Sequence, residues 1–239
     1  MIVNVGERLH YPDEKITSGK PAQLIGKEFD GLCVAVIENP FYYNGMRSCI
    51  PDEEFIRGKA PMTKSEVRSL SVSKLGLKRD SVAWDIGAGT GSCTIEMALQ
   101  VPDGEVYAVE KKDEAADLIG ENCRKFGTPN VQVVRGTAPE ALKDLPVPTH
   151  AFIGGSSGNL KKILELLLEK NPKVRVVVNA ITVETIAEAN ACFKELPFNQ
   201  PDITQIQAAK AKKVGPYEMM MGQNPVYIFS AEGNGGGAA

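Results

Sequence analysis

Ser81-Val82-Ala83-Trp84-Asp85-Ile86-Gly87-Ala88-Gly89-Thr90-Gly91 reads as a short buried strand running into a glycine-rich turn, and Ser92-Cys93-Thr94-Ile95-Glu96-Met97-Ala98-Leu99 continues it as a helix. Glycine permits sharp backbone turns and lets a ligand approach, because no Cβ stands in the way. Strand, turn and helix together make a seat for a cofactor. Asp85, at the end of the strand, and an acidic residue further on decide which cofactor fits.

Outward from this stretch the pattern alternates. Strands are predicted at Val82–Ile86, Glu105–Glu110, Val131–Arg135, Ala151–Ile153 and Val174–Asn179. Helices are predicted at Thr94–Gln100, Glu114–Phe126, Leu160–Lys170 and Val183–Leu196, with a short one around Glu140-Ala141-Leu142. Continuous apolar strands alternating with amphipathic helices indicate a parallel sheet covered on both faces. Ile203–Lys210 and Val226–Ser230 have no long helix between them and predict an antiparallel pair at the sheet edge. The fold class is therefore α/β, a mostly parallel seven-stranded sheet with an antiparallel edge hairpin. Upstream, Thr63-Lys64-Ser65-Glu66 has the form of a capping box for a helix that Gly76 ends.

The first 45 residues differ. A short helical piece, a Tyr11-Pro12-Asp13-Glu14 turn, a second helical piece (Pro21 to Glu28) and an apolar, buried-looking strand (Leu32 to Ile37) are too little for a core of their own. The segment reads as an arm, residues 1–45, before a main domain at 46–232. The ending 233–239, Gly-Asn-Gly-Gly-Gly-Ala-Ala, reads as a flexible tail.

Bulk properties narrow the function. A net charge of −3 gives no global attraction to nucleic acid, and no apolar run approaches the roughly 18 to 20 residues that cross a bilayer. The five cysteines are scattered without a CxxC, which suits small buried thiols in a reducing, cytoplasmic compartment. His10 and His150 share no motif, so neither a metal site nor a Ser-His-Asp triad is expected.

In a doubly wound sheet, ligands sit beyond the carboxyl ends of the strands. That rule gathers Gly87–Gly91, Glu110, Gly136-Thr137-Ala138 and Gly154–Gly158 around one crevice. Glu110 lies 25 positions after Asp85 and can accept from both hydroxyls of a ribose, which argues for an adenosine-type ligand without a 2′-phosphate. A dinucleotide turn is Gly-x-Gly-x-x-Gly. Here the spacing is Gly-x-Gly-x-Gly after a carboxylate, which suits a cationic ligand such as S-adenosyl-L-methionine better than a pyrophosphate. After the fourth strand, Gly154, Gly155 and Ser156 stand where an acceptor would lie. The Asn/Asp-Pro-Pro-Tyr/Phe of amide- and adenine-methylating enzymes is absent, and small residues leave room for something bulky. Arg57, Lys59, Lys64 and Arg68, with Lys161 and Lys162 beside the glycine loop and Lys210, Lys212 and Lys213 further on, suit a polyanionic small molecule. Solvated surface is the alternative for any one of these lysines.

Several segments together resemble the CbiT family, the decarboxylating precorrin methyltransferases of cobalamin biosynthesis. They are Ile50–Phe55, Pro61–Arg68, Asp85–Gly91, Arg135–Glu140, Phe152–Ser156 and Asn224-Pro225-Val226, in order over about residues 50 to 231. Gly6–Ile16 and Phe29–Pro40 are similar to the end of the partner family, CbiE, which precedes CbiT in fused precorrin-6Y C5,15-methyltransferases. The resemblance implies a class I, Rossmann-like methyltransferase fold. It implies methylation of C15 of a polycarboxylate tetrapyrrole and decarboxylation of its ring C acetate. It also implies contact of Thr63, Gly87 to Gly91, Glu110 and Ala138 with S-adenosylmethionine, a homo-tetramer and a possible CbiE-like partner. It names no catalytic side chain. A class I methyltransferase acting on RNA or protein, and a cofactor-binding module without turnover, stay open.

Overall fold

A computed structural model describes residues 1–38 and 48–236, which fall in two compact units divided between Asn44 and Gly45. The expected boundary at residues 45 and 46, the resemblance at Asn39 and Pro40, and the tail residues 237–239 lie outside the described residues.

The N-terminal unit is a three-stranded antiparallel sheet in the order β2-β1-β3, with β1 at Ile2–Glu7, β2 at Lys15–Gly19 and β3 at Cys33–Glu38; the short helix α1 (Pro21–Leu24) lies between the last two. Two expectations are corrected here. The first segment is a strand, and from Asn4 to Glu7 its exposure alternates at strand period, with Val5 and Glu7 buried. The apolar strand is not buried: every residue of β3 is exposed, Val34, Val36 and Ile37 among them. One described helix of four residues cannot cover three strands.

The main unit begins with α2 (Ser65–Leu75), which stops at Gly76 in a left-handed turn. Its N-cap is Lys64, without a side-chain bond, so the expected cap at Thr63 is not made. Then come β4 (Val82–Ile86), α3 (Ser92–Gln100), β5 (Glu105–Glu110), α4 (Asp113–Phe126), β6 (Val131–Arg135), β7 (His150–Ile153), α5 (Leu160–Lys170), β8 (Arg175–Ala180) and α6 (Val183–Glu195). Four strands close the chain: β9 (Asp202–Ile206), β10 (Ala209–Val214), β11 (Tyr217–Gly222) and β12 (Val226–Glu232). The sheet order is β6-β5-β4-β7-β8-β12-β9. The order reverses between β4 and β7, both reached from the chain's middle, and this is where a crevice opens.

One apolar cluster on each face holds the sheet. Trp84, Ile86, Ile153, Val176, Val178 and Phe229 pack with α5 and α6 on one face. Ala83, Val106, Phe152, Val177 and Ile228 pack with α2 and α3 on the other. Each buried Val, Ile or Phe side chain contributes about 1.5–3 kcal/mol.

The edge differs from expectation. β12 enters antiparallel between β8 and β9, as predicted for a closing pair, but Ile203–Lys210 is not one strand. It breaks after Ile206, and β10 pairs with β11 in a separate, wholly exposed hairpin that includes Met219, Met220 and Met221. The first residues of the tail are also fixed. Gly233 N–H donates to Val174 O at 3.0 Å and Gly235 N–H to Pro172 O at 3.0 Å. A Cβ at Gly233 would lie 2.1 Å from Pro172 O, so glycine here serves close packing.

Candidate cofactor and acceptor clefts

The opening turn follows directly from β4. Gly87 and Ala88 N–H both donate to Val109 O (2.9 and 3.2 Å), which pins the turn to β5, while Gly154 and Gly155 N–H donate to Ile86 O (3.0 and 3.3 Å). Gly89 has a φ of +58°, and a Cβ there would meet Pro61 O at 2.6 Å; one at Gly87 would meet Gly155 O at 2.6 Å. Glycine therefore lets the turn close against its neighbours and present backbone to the space above. Gly91, also left-handed, is the N-cap of α3.

Above the turn lies a cleft of about 220 Å³, lined by Thr63, Gly87, Ala88, Gly89, Glu110, Gly136, Thr137 and Ala138, with Pro61, Lys111, Phe152 and Gly154 to Ser157 among its other walls. Thr90 is buried within the turn, and Gly91 lies below it on Ile119. Glu110 is held rigidly, its Oε2 accepting from Gly89 N–H and its Oε1 from Lys112 N–H, both at 2.9 Å. Each oxygen keeps a lone pair for a further donor, which fits a pair of adjacent hydroxyls. Asp85 lies beneath the turn, fully buried. Its Oδ2 accepts from Thr94 Oγ1–H at 2.5 Å and its Oδ1 has no hydrogen-bond partner among the described residues. Burial pushes its pKa up to about 7, against the Thr94 hydrogen bond, which lowers it. An orphaned, desolvated acceptor, a clamped carboxylate and a backbone-lined turn fit a cationic adenosine ligand.

The segment that roofs this cleft is pinned from the core. Arg68 is fully buried. It donates through Nε to Glu96 Oε1 at 2.6 Å, through Nη1 to Thr63 O at 2.7 Å and Asp52 Oδ1 at 3.2 Å, and through Nη2 to Ile50 O. Asn122 joins in, accepting from Ile56 N–H at 2.8 Å and donating to Ile56 O and Thr90 O at 3.1 and 3.0 Å.

A second cleft of about 740 Å³ shares Pro61, Thr63 and Gly154 to Ser157 with the first. Met62, Lys64, Val67, Val178, Asn179, Ile181 and Gln223 are among its walls.

Of the expected basic grip, Lys64 alone lines a cleft among the described residues. Arg68 cannot meet a ligand, because its guanidinium is consumed by Glu96, Asp52 and two carbonyls inside the core. Lys161 pairs with Glu195 at 2.7 Å, and Arg57, Lys59 and Lys161 line neither cleft. Lys210 is engaged by Glu66 at 2.7 Å. Arg68 looked like a surface cation by its residue type; Val72 and Leu75, at i+4 and i+7 on the same helix, are apolar and buried, and that spacing is the signal that could have placed it inward. His150 sits at the opposite end of the sheet, at the start of β7, with its pKa lowered by burial and by Arg175 and Lys78. Several lining residues went unread, two of them polar ones beside the junction of the clefts. Lys111, whose Nζ donates to Ser157 Oγ at 2.9 Å across the first cleft, directly follows Glu110. Asn179 is a polar residue next to the end of an apolar strand, which the strand-end rule could have flagged. Among the described residues no cluster of side chains could hold a metal, and no helix is long and apolar enough to cross a membrane.

The precorrin methyltransferase domain model matches residues 54–232. The probable cobalt-precorrin-6B C(15)-methyltransferase (decarboxylating) of Pyrobaculum calidifontis is 42% identical over 185 residues, 76% of this chain and 94% of the relative. The crystal structure of precorrin-6y C5,15-methyltransferase from Geobacter metallireducens superposes with a TM-score of 0.72 at 38% identity, covering 77% of this chain and 96% of that one. A solved SAM-dependent O-methyltransferase of Thermotoga maritima, 16% identical with a TM-score of 0.63 over 97% of this chain and 92% of that one, shares the class I, Rossmann-like fold. By its matched domain and these relatives, the chain belongs to the precorrin methyltransferase family.

Proposed function

We propose that the protein methylates C15 of a precorrin and decarboxylates its ring C acetate, as a step of cobalamin biosynthesis, with S-adenosyl-L-methionine as cofactor. The observation that carries this is the pair of clefts meeting at one wall, the smaller fitted to the cofactor and the larger roomy enough for part of a macrocycle. Bound in the smaller cleft, the cofactor supplies an electrophilic methyl group on a sulfonium.

In this reading Glu110 takes the ribose hydroxyls. Thr63, Gly87, Ala88, Gly89, Thr90 and Gly91 shape one side of the seat, Gly136, Thr137 and Ala138 the other, and Asp85 offers negative charge from below. Gly154, Gly155 and Ser156 keep the junction of the clefts free of bulk, so that the acceptor carbon can reach the methyl. The protein's main contribution is alignment, which can supply on the order of 7–11 kcal/mol. The macrocycle provides nucleophile and electron sink, so no strong protein base is required. A CbiE-like origin for the N-terminal unit, a homo-tetramer and a cytoplasmic setting with free cysteines belong to the same reading, supported by the resemblance of residues 6–16 and 29–40 and by the unpaired state of all five thiols.

Folded protein given S-adenosylmethionine and a corrin precursor, with and without cobalt, is expected to release CO₂ and a singly methylated product. Binding of S-adenosylhomocysteine with neither product from either precursor would leave only a binding module.

A further inference from the structure

Resting on the reaction proposed above, the larger cleft must take a substrate bearing several carboxylates, of which one leaves as CO₂. The described lining of that cleft holds one cationic side chain, Lys64; its other polar groups are hydroxyls and amides. Lys64 Nζ is only loosely engaged, 3.5 Å from an Asp52 carboxylate that Arg68 already occupies.

Among the amides, Asn179 is the one whose plane the fold sets. It follows Val178, which is in register with Ile153, so it stands level with Gly154 at the junction of the two clefts. The Oγ of Ser71, a fully buried residue of α2, lies 2.9 Å from its Oδ1 and 2.8 Å from Val67 O, so one hydroxyl proton is shared between the two acceptors, and the Asn179 Nδ2 has no hydrogen-bond partner among the described residues. Gln223 and Asn224 lie on the loop between β11 and β12 with no such anchor among the described residues. Thr182 and Thr185 are bonded to each other at 3.0 Å.

The geometry points to Asn179 as the residue that positions the departing carboxylate of the substrate through its neutral amide, while Lys64 holds a carboxylate that stays. In the step itself the C–CO₂ bond breaks and CO₂ leaves. The bond's electron pair moves into the conjugated, protonated ring imine, and the former acetate carbon then takes a proton from solvent to become a methyl. An ammonium on that carboxylate would stabilise the localised anion more than the transition state, where charge moves into the ring. An amide donor orients the carboxylate with less ground-state stabilisation. Orientation matters because the breaking bond must stand across the ring plane to overlap with it.

The test measures methyl transferred and CO₂ released in the same single-turnover reactions of the full chain with a corrin precursor. For Asn179→Ala, CO₂ release is expected to fall about tenfold further than methyl transfer, the effect of one lost hydrogen bond to a charged group. Ser71→Ala, which frees the amide without changing the cleft wall, should shift the ratio the same way by a smaller factor. Lys64→Met should raise the dissociation constant for the precursor, measured by absorbance beside S-adenosylhomocysteine, and lower both products together. An unchanged product ratio in both Asn179→Ala and Ser71→Ala, beside a wild type that makes both products, would overturn the role of Asn179. A folded wild type making neither product would overturn the reaction on which it rests.

Discussion

β4 and β7 lie side by side, parallel and in register, Asp85 against Phe152 and Ile86 against Ile153, and each ends in glycines. The two endings are built for different work. After β4 the turn is locked: Gly87 and Gly89 are left-handed, backbone atoms crowd where their Cβ atoms would be, and a carboxylate lies beneath. After β7 the loop is roomy: Gly155 has nothing within 4 Å of a would-be Cβ, and a phenyl ring lies at the equivalent place below. In the proposed reaction, one loop fixes a small cofactor and the other leaves space for a large acceptor. A glycine-rich string thus has two meanings, and only the contacts around it say which applies.

The largest expected effect removes the support of the locked turn. Arg68→Met leaves Glu96 buried without its counter-charge, keeping the Ile50 N–H bond, and releases Thr63 O and Ile50 O, for a loss of about 3–5 kcal/mol. Chemical denaturation should show that loss. S-Adenosylhomocysteine binding by whatever remains folded should weaken, since Pro61 and Thr63 roof its cleft. Unchanged stability would mean that the buried network is not as drawn.

Next in size is Gly87→Ala, which puts a left-handed φ of +74° and a Cβ 2.6 Å from Gly155 O on one residue. Strain and overpacking together amount to about 3 kcal/mol. Calorimetric titration is expected to show at least a hundredfold weaker S-adenosylhomocysteine binding. A variant that binds as wild type would place the cofactor elsewhere.

Asp85→Asn goes in the opposite direction for stability. The folded protein holds the Asp85 proton up to a pH of about 7, while the unfolded chain releases it near 3.8. Between those values the folded state binds the extra proton, so stability declines as pH rises from about 4 to about 7 and is then level. The asparagine removes that slope and should stabilise the unliganded protein at pH 8 by roughly 2 kcal/mol. It should also weaken cofactor binding about tenfold, because a cation would lose its buried counter-charge. Denaturation midpoints taken across that pH range check the slope, and a steeper decline in the variant would reverse the sign argued here.

Much of this was legible in the chain. The strand from Val82, the turn, Glu110 and the alternation of elements follow from apolar runs punctuated by glycine, and the parallel sheet follows from them. What escaped reading was decided by long-range partners. Val34, Val36 and Ile37 have a core-like pattern yet are exposed, since apolarity does not supply something to pack against. Arg68 has a surface-like type yet is buried, because Glu96, 28 residues on, and the Ile50 and Thr63 carbonyls satisfy it. Asn179 depends on Ser71, 108 residues earlier, and no local spacing encodes that contact.

The smallest expected effect sharpens the comparison most, because it changes the same residue type in the other loop. A Cβ at Gly155 meets open space and no unusual φ is required there, so Gly155→Ala should alter stability by less than about 0.5 kcal/mol and leave S-adenosylhomocysteine affinity nearly unchanged. Its consequence falls on the acceptor instead. The methyl group would project at the junction shared by both clefts, so the Michaelis constant for the corrin precursor should rise several-fold. Steady-state rates with each substrate varied in turn separate the two. A variant that loses cofactor affinity while keeping its precursor constant would mean that the second loop, like the first, belongs to the cofactor.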